Sequence, residues 1–372
     1  MKKNNRNISA NGRNNGIDLL RIVAMIMVVI LHFYNLGGIF DYSEMGSAHH
    51  NTSLAVIIVT FAGVDIFAII SGYVSACSDR QGLDISRYVK LWMTVVFYGL
   101  VLSFMFDFCF YGINDINDYM RALLPVTYNE YWYFTSFTGL FVLKPLLDRG
   151  LSKCSEDLLK KFFVVILIAF SFYSIFFDVF ELNSGYSLIW LLLLYIIGYS
   201  MKKSEIFKNA RTWILLIVMI CLYIFTFMFY NLTEEFSNKL FTIEKLMFVN
   251  YTSPTILISA IIMVTIFSRI KLNDGVSELL KILAPTAFSI YLVDCHPRMV
   301  DIYHKGYFWG LIDGNVWYVL FMLVGLSIIL SVAVMLFDLI RIKLFEICGL
   351  NKLADKVEKV LRTVLEKVVS VI

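Results

Sequence analysis

Long apolar runs alternate with short polar connections along the whole chain, and this pattern predicts about ten membrane-spanning helices. A helix crosses the hydrocarbon core of a bilayer with about 20 mostly apolar residues. We place the spans at residues 17–36, 54–76, 88–110, 129–148, 162–181, 185–201, 212–231, 253–270, 283–302 and 316–341. Polar residues interrupt 129–148 and 283–302, which makes these two the least regular. The sequence therefore predicts an all-α polytopic integral membrane protein with its helices in one bundle.

A different pattern follows the last predicted span. Apolar residues recur there at steps of three and four, at Leu350, Leu353, Val357, Val360, Val364 and Val368. Lysines fall between them, at Lys352, Lys356, Lys359 and Lys367. This spacing is typical of an amphipathic helix lying on a membrane surface. We accordingly divide the chain into a membrane domain, residues 1–341, and a cytoplasmic helical tail, residues 342–372.

Composition agrees with a membrane protein. The chain has 372 residues, of which 59% are hydrophobic and only 16% are charged, and this excludes a soluble globular protein. No small-residue cleavage site follows the first apolar run, so we expect it to remain as a span. The six cysteines lack the spacing of a disulfide framework or a zinc site, and we expect no metal. His49 and His50 are adjacent, but no other ligand is near in sequence, which favours a solvated loop pair.

Lysine and arginine residues concentrate in alternate connections, and the positive-inside rule places those connections in the cytoplasm. The basic set contains Arg80, Arg87, Arg149, Lys153, Lys160, Lys161, Lys202, Lys203, Lys208, Arg211, Arg269, Lys271 and Lys281. The other set contains Arg121, Lys239, Lys245 and Lys305. An even number of spans then puts both termini in the cytoplasm. The net charge of +3 reflects this topology, so we expect the lipid bilayer and no nucleic acid as a partner.

Ionisable side chains lie on one face of the first span. An ionisable group at the bilayer centre costs roughly 2.5 to 3.5 kcal/mol on insertion scales, so each needs a reason to be there. Arg21 and His32 are about three helical turns apart, on the same face and roughly 16 Å from each other. Asp18 is one turn before Arg21 and can pair with it. Alternatively, Arg21 only reaches back to the inner surface, and His32 only bridges two helices.

Two further spans carry candidate functional residues. Asp65 falls near the middle of the second span, where we expect Arg21 or His32 as its partner, in a structural or a functional pair. Nearby small residues, such as Gly72, would allow close helix packing. Arg87 and Lys90 share a face at the start of the third span and would suit a ligand that carries phosphates. The positive-inside rule alone would also place cations there.

The ninth span ends in a group of polar residues. Counting along this helix puts Asp294 and His296 at about the depth of His32. Either residue could therefore take part in chemistry with it. His296 and Asp301 also match the H-x4-D pattern of soluble-face glycerolipid acyltransferases, a pattern short enough to occur by chance.

Five stretches together resemble the acyltransferase 3 family of bacterial inner-membrane proteins. They are "GIDLLRIVAMIMVVILH", "FAGVDIFAIISGYV", "RYVKLW", "YWYFTSFTGLFVLKPLL" and "SIYLVDCHP", and they extend from residue 16 to residue 297. The first contains the family's pair of an arginine and a more distal histidine, here Arg21 and His32. Two departures are visible: Lys90 stands where the family has a second arginine, and Asp294 stands where it often has a histidine.

The resemblance implies transfer of an acyl group, usually acetyl from acetyl-CoA, to a hydroxyl of an extracytoplasmic or lipid-linked glycan. It implies that His32 is catalytic and that Arg21, Arg87 and Lys90 bind the acyl donor. Asp65, Asp294 and His296 are our further catalytic candidates. The resemblance also implies location in the bacterial cytoplasmic membrane. We expect no hydrolase-like domain after the last span, so donor and acceptor would meet at the bundle itself.

Our functional hypothesis is a membrane O-acyltransferase that modifies a cell-envelope or exopolysaccharide glycan. A neutral histidine suits this reaction because it can accept the proton of the attacking hydroxyl near pH 7. The alternative is a transporter or flippase, in which the same intramembrane ionisable residues would form a coupling path. A glycan polymerase is expected to have a large outer loop, and the segment 232–252 is a poor candidate for one.

Overall fold

The computed structural model describes residues 13–78, 82–111, 116–236 and 246–369 of the chain. These residues form helices with short connections, and no strand occurs within them. Three lysine and arginine residues of the predicted loops lie outside the described residues, namely Arg80, Lys239 and Lys245.

Sixteen α-helices are present in the described residues. In chain order, α1 to α16 are Asn15–Asn35, Ile39–Tyr42, Ala48–Thr60, Gly63–Ser75, Ile85–Phe106, Ile116–Leu123, Trp132–Lys153, Glu156–Val165, Leu188–Lys203, Thr212–Phe236, Pro254–Phe267, Asp274–Leu283, Ala287–Asp294, Pro297–His304, Val316–Ile347 and Leu350–Val369. π-Helical segments occur at Asp107–Tyr111 and Ile166–Phe172. 3₁₀ segments occur at Tyr173–Ile175, Asn183–Gly185, Ala284–Thr286 and Trp309–Asp313.

Seven helical segments of the described chain are long and apolar enough to cross a membrane. They are Asn15–Tyr42, Ala48–Ser75, Ile85–Phe110, Glu156–Ile175, Thr212–Thr233, Asp274–Asp294 and Val316–Ile347. Helices also form at the other three predicted spans, but α9 has 16 residues, α11 has 14, and α7 carries several charged residues in its second half. The multi-pass, all-helical architecture is therefore confirmed, whereas the count of ten spans is not.

Helix α1 lies at the centre of the bundle. It contacts α3, α4, α11, α13 and α15, and its apolar residues are mostly buried among them. Helix α4 packs on α1 and, very closely, on α9. A Cβ atom at Gly72 of α4 would lie 1.9 Å from the carbonyl oxygen of Tyr195 in α9, so only glycine fits. The prediction that a small residue here allows close packing is confirmed.

The bundle has two distinguishable ends. The side chain of Asn14, at the start of α1, donates to the carbonyl of Ser268, just after α11, at 2.8 Å. Ser204, after α9, donates to the carbonyl of Glu156 at the start of α8. The connections rich in lysine and arginine thus meet at one end, which we call the basic end. That the basic end faces the cytoplasm stays a prediction.

The chain after the last span folds back onto the basic end. Helix α15 runs to Ile347, so the predicted domain boundary between residues 341 and 342 falls inside it. Helix α16 then contacts the start of α5, where Arg362 donates to the carbonyl of Leu83 at 2.7 Å and Glu358 accepts from the backbone N–H of Ser86. Its predicted position on the membrane surface stays a prediction.

Candidate active site

His32 and Asp294 form a hydrogen-bonded pair near the end of the bundle opposite to the basic end. His32 lies in the last turn of α1, and Asp294 is the last residue of α13. Nδ1 of His32 is 2.6 Å from Oδ2 of Asp294, because α1 and α13 pack directly against each other. The prediction that Asp294 reaches the depth of His32 is confirmed.

Both carboxylate oxygens of Asp294 have hydrogen-bond partners. Its second oxygen, Oδ1, accepts a hydrogen bond of 3.0 Å from the hydroxyl of Tyr303, and the residue is only 1% exposed. A buried carboxylate is stable when its oxygens are bonded in this way. With Asp294 accepting from Nδ1–H of His32, the basic lone pair of the imidazole is on Nε2. No hydrogen bond joins Nε2 to another part of the described chain, so it can receive a proton from a bound hydroxyl.

Cys295 adds a thiol to this pair. Ligand atoms of His32, Asp294 and Cys295 all lie within 4.8 Å of one another, a grouping that could hold a metal ion. A tetrahedral zinc ion bound at about 2.0 to 2.2 Å by the imidazole and the carboxylate would keep their atoms more than about 3 Å apart. The observed 2.6 Å contact between Nδ1 and Oδ2 is a hydrogen bond, so this geometry suits proton transfer better than metal binding.

Arg21 belongs to a cluster of cations at the basic end. Its guanidinium donates to Oδ1 of Asp18 at 2.8 Å, so the predicted pair is confirmed. Arg13 donates to the other oxygen of Asp18, and Arg87 is near enough to interact electrostatically with Arg21. Arg87 is exposed in the first turn of α5. Two guanidinium groups therefore share one carboxylate, with a third near Arg21, which leaves an excess of positive charge.

Lys90, the third predicted donor ligand, has a partner that the sequence did not suggest. Its ammonium lies 3.1 Å from a carboxylate oxygen of Asp355 in α16. The Ser86 hydroxyl also donates to Asp355. These two contacts hold the pKa of the Asp355 carboxyl below its ordinary value. Lys90 of α5 therefore forms an ion pair with the C-terminal tail.

Asp65 is fully buried and faces α9. The indole N–H of Trp190 donates to its Oδ1 at 3.0 Å, whereas Oδ2 has no hydrogen-bond partner within the described residues. The prediction that Arg21 or His32 would be its partner is wrong, because Arg21 pairs with Asp18 and His32 pairs with Asp294. Close packing of α4 on α9 orients Asp65 toward Trp190 instead.

His296 packs against α5. Its Nε2 lies 3.4 Å from both the Ser103 hydroxyl and the Gly99 carbonyl oxygen, and its ring stacks on Phe106. Its Nδ1 accepts from the backbone N–H of Arg298, which caps the start of α14. These contacts account for its two ring nitrogens, and none of them is with His32 or Asp294.

His49 and His50 separate in the structure. His49 lies 2.9 Å from the carbonyl oxygen of Gly314, just before α15. His50 is 4% exposed and stacks on Phe40 at 4.6 Å between ring centroids. The interpretation of both as solvated loop residues is wrong for His50, since α3 turns its ring into the core.

A cavity of about 500 Å³ opens at the basic end between α4, α7 and α9. Its lining includes Ser75, Asp148, Arg149 and Lys203, and Asp148 accepts hydrogen bonds from Ser75 and Lys144. Arg21, Arg87 and Lys90 are not among the lining residues. The sequence did not indicate this cavity, because the charged residues in 129–148 were interpreted only as an irregularity of the predicted span. Tyr303 was missed for a similar reason, since it follows Asp294 after a break in the helix at Pro297 and has no periodic relation to it.

Comparison with known protein families agrees with this geometry. The family model of the acyltransferase 3 family, described as an acyltransferase domain, matches residues 14–336, which include α1 to most of α15 and every predicted site residue. No curated protein and no solved structure matches the chain significantly. The chain belongs to the acyltransferase 3 family and is a multi-pass membrane acyltransferase.

Proposed function

We propose that the protein transfers an acyl group, most simply acetyl, from acyl-CoA to a hydroxyl of a cell-envelope or exopolysaccharide glycan. The observation that carries this proposal is the hydrogen bond between His32 and the buried Asp294, with Nε2 of His32 left open. Membership of an acyltransferase family supports acyl transfer in general. The donor, the glycan acceptor and the ester product are our proposal.

In this reaction His32 is the general base. Nε2 takes the proton of the acceptor hydroxyl while the hydroxyl oxygen attacks the thioester carbonyl carbon. The tetrahedral intermediate then breaks its C–S bond, and the leaving CoA sulfur receives the proton from His32. Asp294 keeps Nδ1–H bonded throughout and stabilises the imidazolium that forms transiently, and Tyr303 holds the carboxylate in place.

The acyl donor would enter from the basic end. Phosphate groups suit a cluster of guanidinium groups because each can accept two parallel hydrogen bonds. The cluster of Arg13, Arg21 and Arg87 provides such a site. Arg21 and His32 are roughly 16 Å apart along α1, which the extended pantetheine arm of CoA can cover. The thioester would then reach His32 while the nucleotide stays at the basic end.

The direct test uses purified protein, acetyl-CoA labelled in the acetyl group, and envelope polysaccharide of the source organism freed of O-acyl groups by mild base. We expect alkali-labile label in the glycan and an equal amount of free CoA. Succinyl-CoA and long-chain acyl-CoA serve as competing donors that identify the acyl group. If the protein releases no CoA and labels no glycan, but moves a lipid-linked saccharide across vesicle membranes, it is a flippase.

A further inference from the structure

Two helices of the bundle, α9 and α11, are short compared with the thickness of a bilayer. Helix α9 has 16 residues and α11 has 14, so they are about 24 and 21 Å long, against roughly 30 Å of hydrocarbon core. Both helices end at the basic end, α11 beside the start of α1. In a bilayer of this thickness their starts would lie below the opposite surface, and residues 178–187 and 246–253 would run into the membrane to reach them.

Non-helical backbone at membrane depth must be buried in protein or line a wet cavity, because lipid offers no hydrogen bonds. Here both segments are firmly braced. The carboxylate of Asp178 accepts from the backbone N–H groups of Leu182 and Asn183 at 2.7 and 2.8 Å. The Ser171 hydroxyl donates to the carbonyl of Thr252 at 2.7 Å. These bonds fix the conformation of the first segment and the position of the second.

The backbone of residues 178–187 is also strained. Glu181, Asn183 and Ser184 have φ values of 51°, 50° and 53°, which side chains other than glycine rarely adopt. Gly185 has φ +99°, and a Cβ atom there would lie 2.4 Å from Cβ of Tyr251. Strain of this kind persists only where the surroundings enforce it, and it is frequent at ligand sites. Here the strained backbone places Tyr186 in contact with residues 246–253.

Tyr186, Trp132 and Tyr251 form an aromatic triad where these two segments meet the start of α7. The Tyr186 ring lies 4.6 Å from that of Trp132 and 5.1 Å from that of Tyr251, measured between ring centroids. Tyr186 is 45% exposed, whereas Tyr251 is 3% exposed and packs on Phe61. One ring of the triad is therefore accessible, and the other two pack against it.

The aromatic triad is adjacent to the candidate active site. The Cys295 thiol lies within 4.8 Å of the ligand atoms of His32 and Asp294. Trp132 of the triad follows Tyr131, whose hydroxyl donates to the carbonyl oxygen of Leu292, two residues before Asp294, at 3.1 Å. The triad and the His32–Asp294 pair thus border one region of the protein.

We propose that the aromatic triad binds a pyranose ring of the acceptor glycan beside the hydroxyl that is acylated. The face of an aromatic ring carries negative partial charge, which attracts the C–H groups on the face of a sugar, and phenol groups can bond its hydroxyls. Interfacial tyrosine and tryptophan residues that anchor a protein in lipid lie on its perimeter. Here Tyr251 is only 3% exposed, so at least this ring of the triad packs inside the protein rather than on its perimeter. The inference rests on the proposed function, because it assumes a glycan acceptor.

The test compares Tyr186→Ala, Tyr186→Leu and Tyr186→Phe, with Tyr318→Ala as the matched control. Tyr318 is also an exposed aromatic residue, at the start of α15, outside the triad. The probe is a set of oligosaccharides cut from the base-treated envelope polysaccharide. We expect the Ala and Leu variants to raise the KM for these fragments about 10-fold, with the KM for acetyl-CoA and its hydrolysis without acceptor unchanged. Phe and the control variant should stay near the parental KM. Equilibrium binding of the fragments without donor should weaken in parallel.

The outcomes separate this inference from the proposed function. If the parental protein acylates the fragments and folded Tyr186→Ala keeps its KM and binding, the triad is not the sugar site although the function stands. An equal effect from Tyr186→Leu and Tyr318→Ala, or an equal rise in the KM for acetyl-CoA, would likewise overturn it. If the parental protein never labels the fragments, the proposed function fails and this inference falls with it.

Discussion

Nδ1 of His32 lies 2.6 Å from a carboxylate oxygen of Asp294, although 262 positions separate the two residues in the chain. This contact fixes the imidazole ring and directs Nε2 away from the carboxylate. A pair of this kind is suited to accept a proton and to stabilise the resulting cation. The predictions below test that role and the parts of the molecule that support it.

Replacing His32 should remove catalysis without unfolding the protein. His32→Ala leaves a small apolar residue in an apolar helix, so insertion should survive. Loss of a general base should lower the rate of glycan acylation by at least ~10²-fold. His32→Gln keeps a hydrogen-bonding group that cannot accept a proton near neutral pH, so it should be nearly as inactive. An active Gln variant beside an inactive Ala variant would reduce His32 to a structural role and direct attention to Asp294 or His296.

Asp294→Asn should lower kcat by about 10²-fold and leave the KM for acetyl-CoA unchanged, because the neutral amide no longer stabilises an imidazolium. Tyr303→Phe removes one hydrogen bond from the same carboxylate and should have a smaller effect in the same direction. Steady-state kinetics on both variants checks this order. Activity that is abolished by a chelator and restored by zinc would instead assign His32, Asp294 and Cys295 to a metal.

Arg87→Ala should raise the KM for acetyl-CoA, and added salt should raise it further in the parental protein through screening of the phosphate contacts. Arg149→Ala is the matched control, since Arg149 lines the cavity at the basic end rather than the cluster around Arg21. Donor binding is measured directly with both variants. If Arg149→Ala weakens binding and Arg87→Ala does not, the donor occupies the cavity.

Variants of Asp65 and Trp190 distinguish a structural from a catalytic role for Asp65. Trp190→Phe leaves the buried carboxylate without its donor and should lower the free energy of unfolding by about 1 to 3 kcal/mol. Asp65→Asn keeps an oxygen that can accept from the indole N–H, so its thermal stability in detergent should stay near the parental value. A stable Asp65→Asn variant that loses glycan acylation would show that Asp65 is catalytic, as predicted from the sequence.

Tags test the predicted orientation. A tag at residue 45 or 310 should be accessible from outside intact cells, whereas tags at residues 155 and 205 or at the C-terminus should need permeabilised membranes. The positive-inside rule is the physical reason, because the basic connections resist translocation. A C-terminal tag that is accessible from outside would mean that the number of spans is odd.

The sequence by itself determined the features that depend on local pattern. A long apolar run is stable in lipid only as regular, internally hydrogen-bonded structure, so the all-helical, multi-pass architecture could be predicted, although seven rather than ten helices of the described chain are long and apolar enough to span. The pairing of Asp18 with Arg21 was also predictable, since residues three apart share a helix face. The family could be recognised because its motifs occur in order along the chain.

Only the tertiary structure decided which helix faces meet. Helical period shows the direction of a side chain but not its neighbour, so Asp65 was expected to face α1 and instead meets Trp190 of α9. Contact of α16 with Lys90 depends on a turn after α15 that no periodicity describes. The His32–Asp294 bond needs both the depth and the rotation of α13 against α1. These relations come from packing between distant segments, and packing is settled by the shapes of all the helices together.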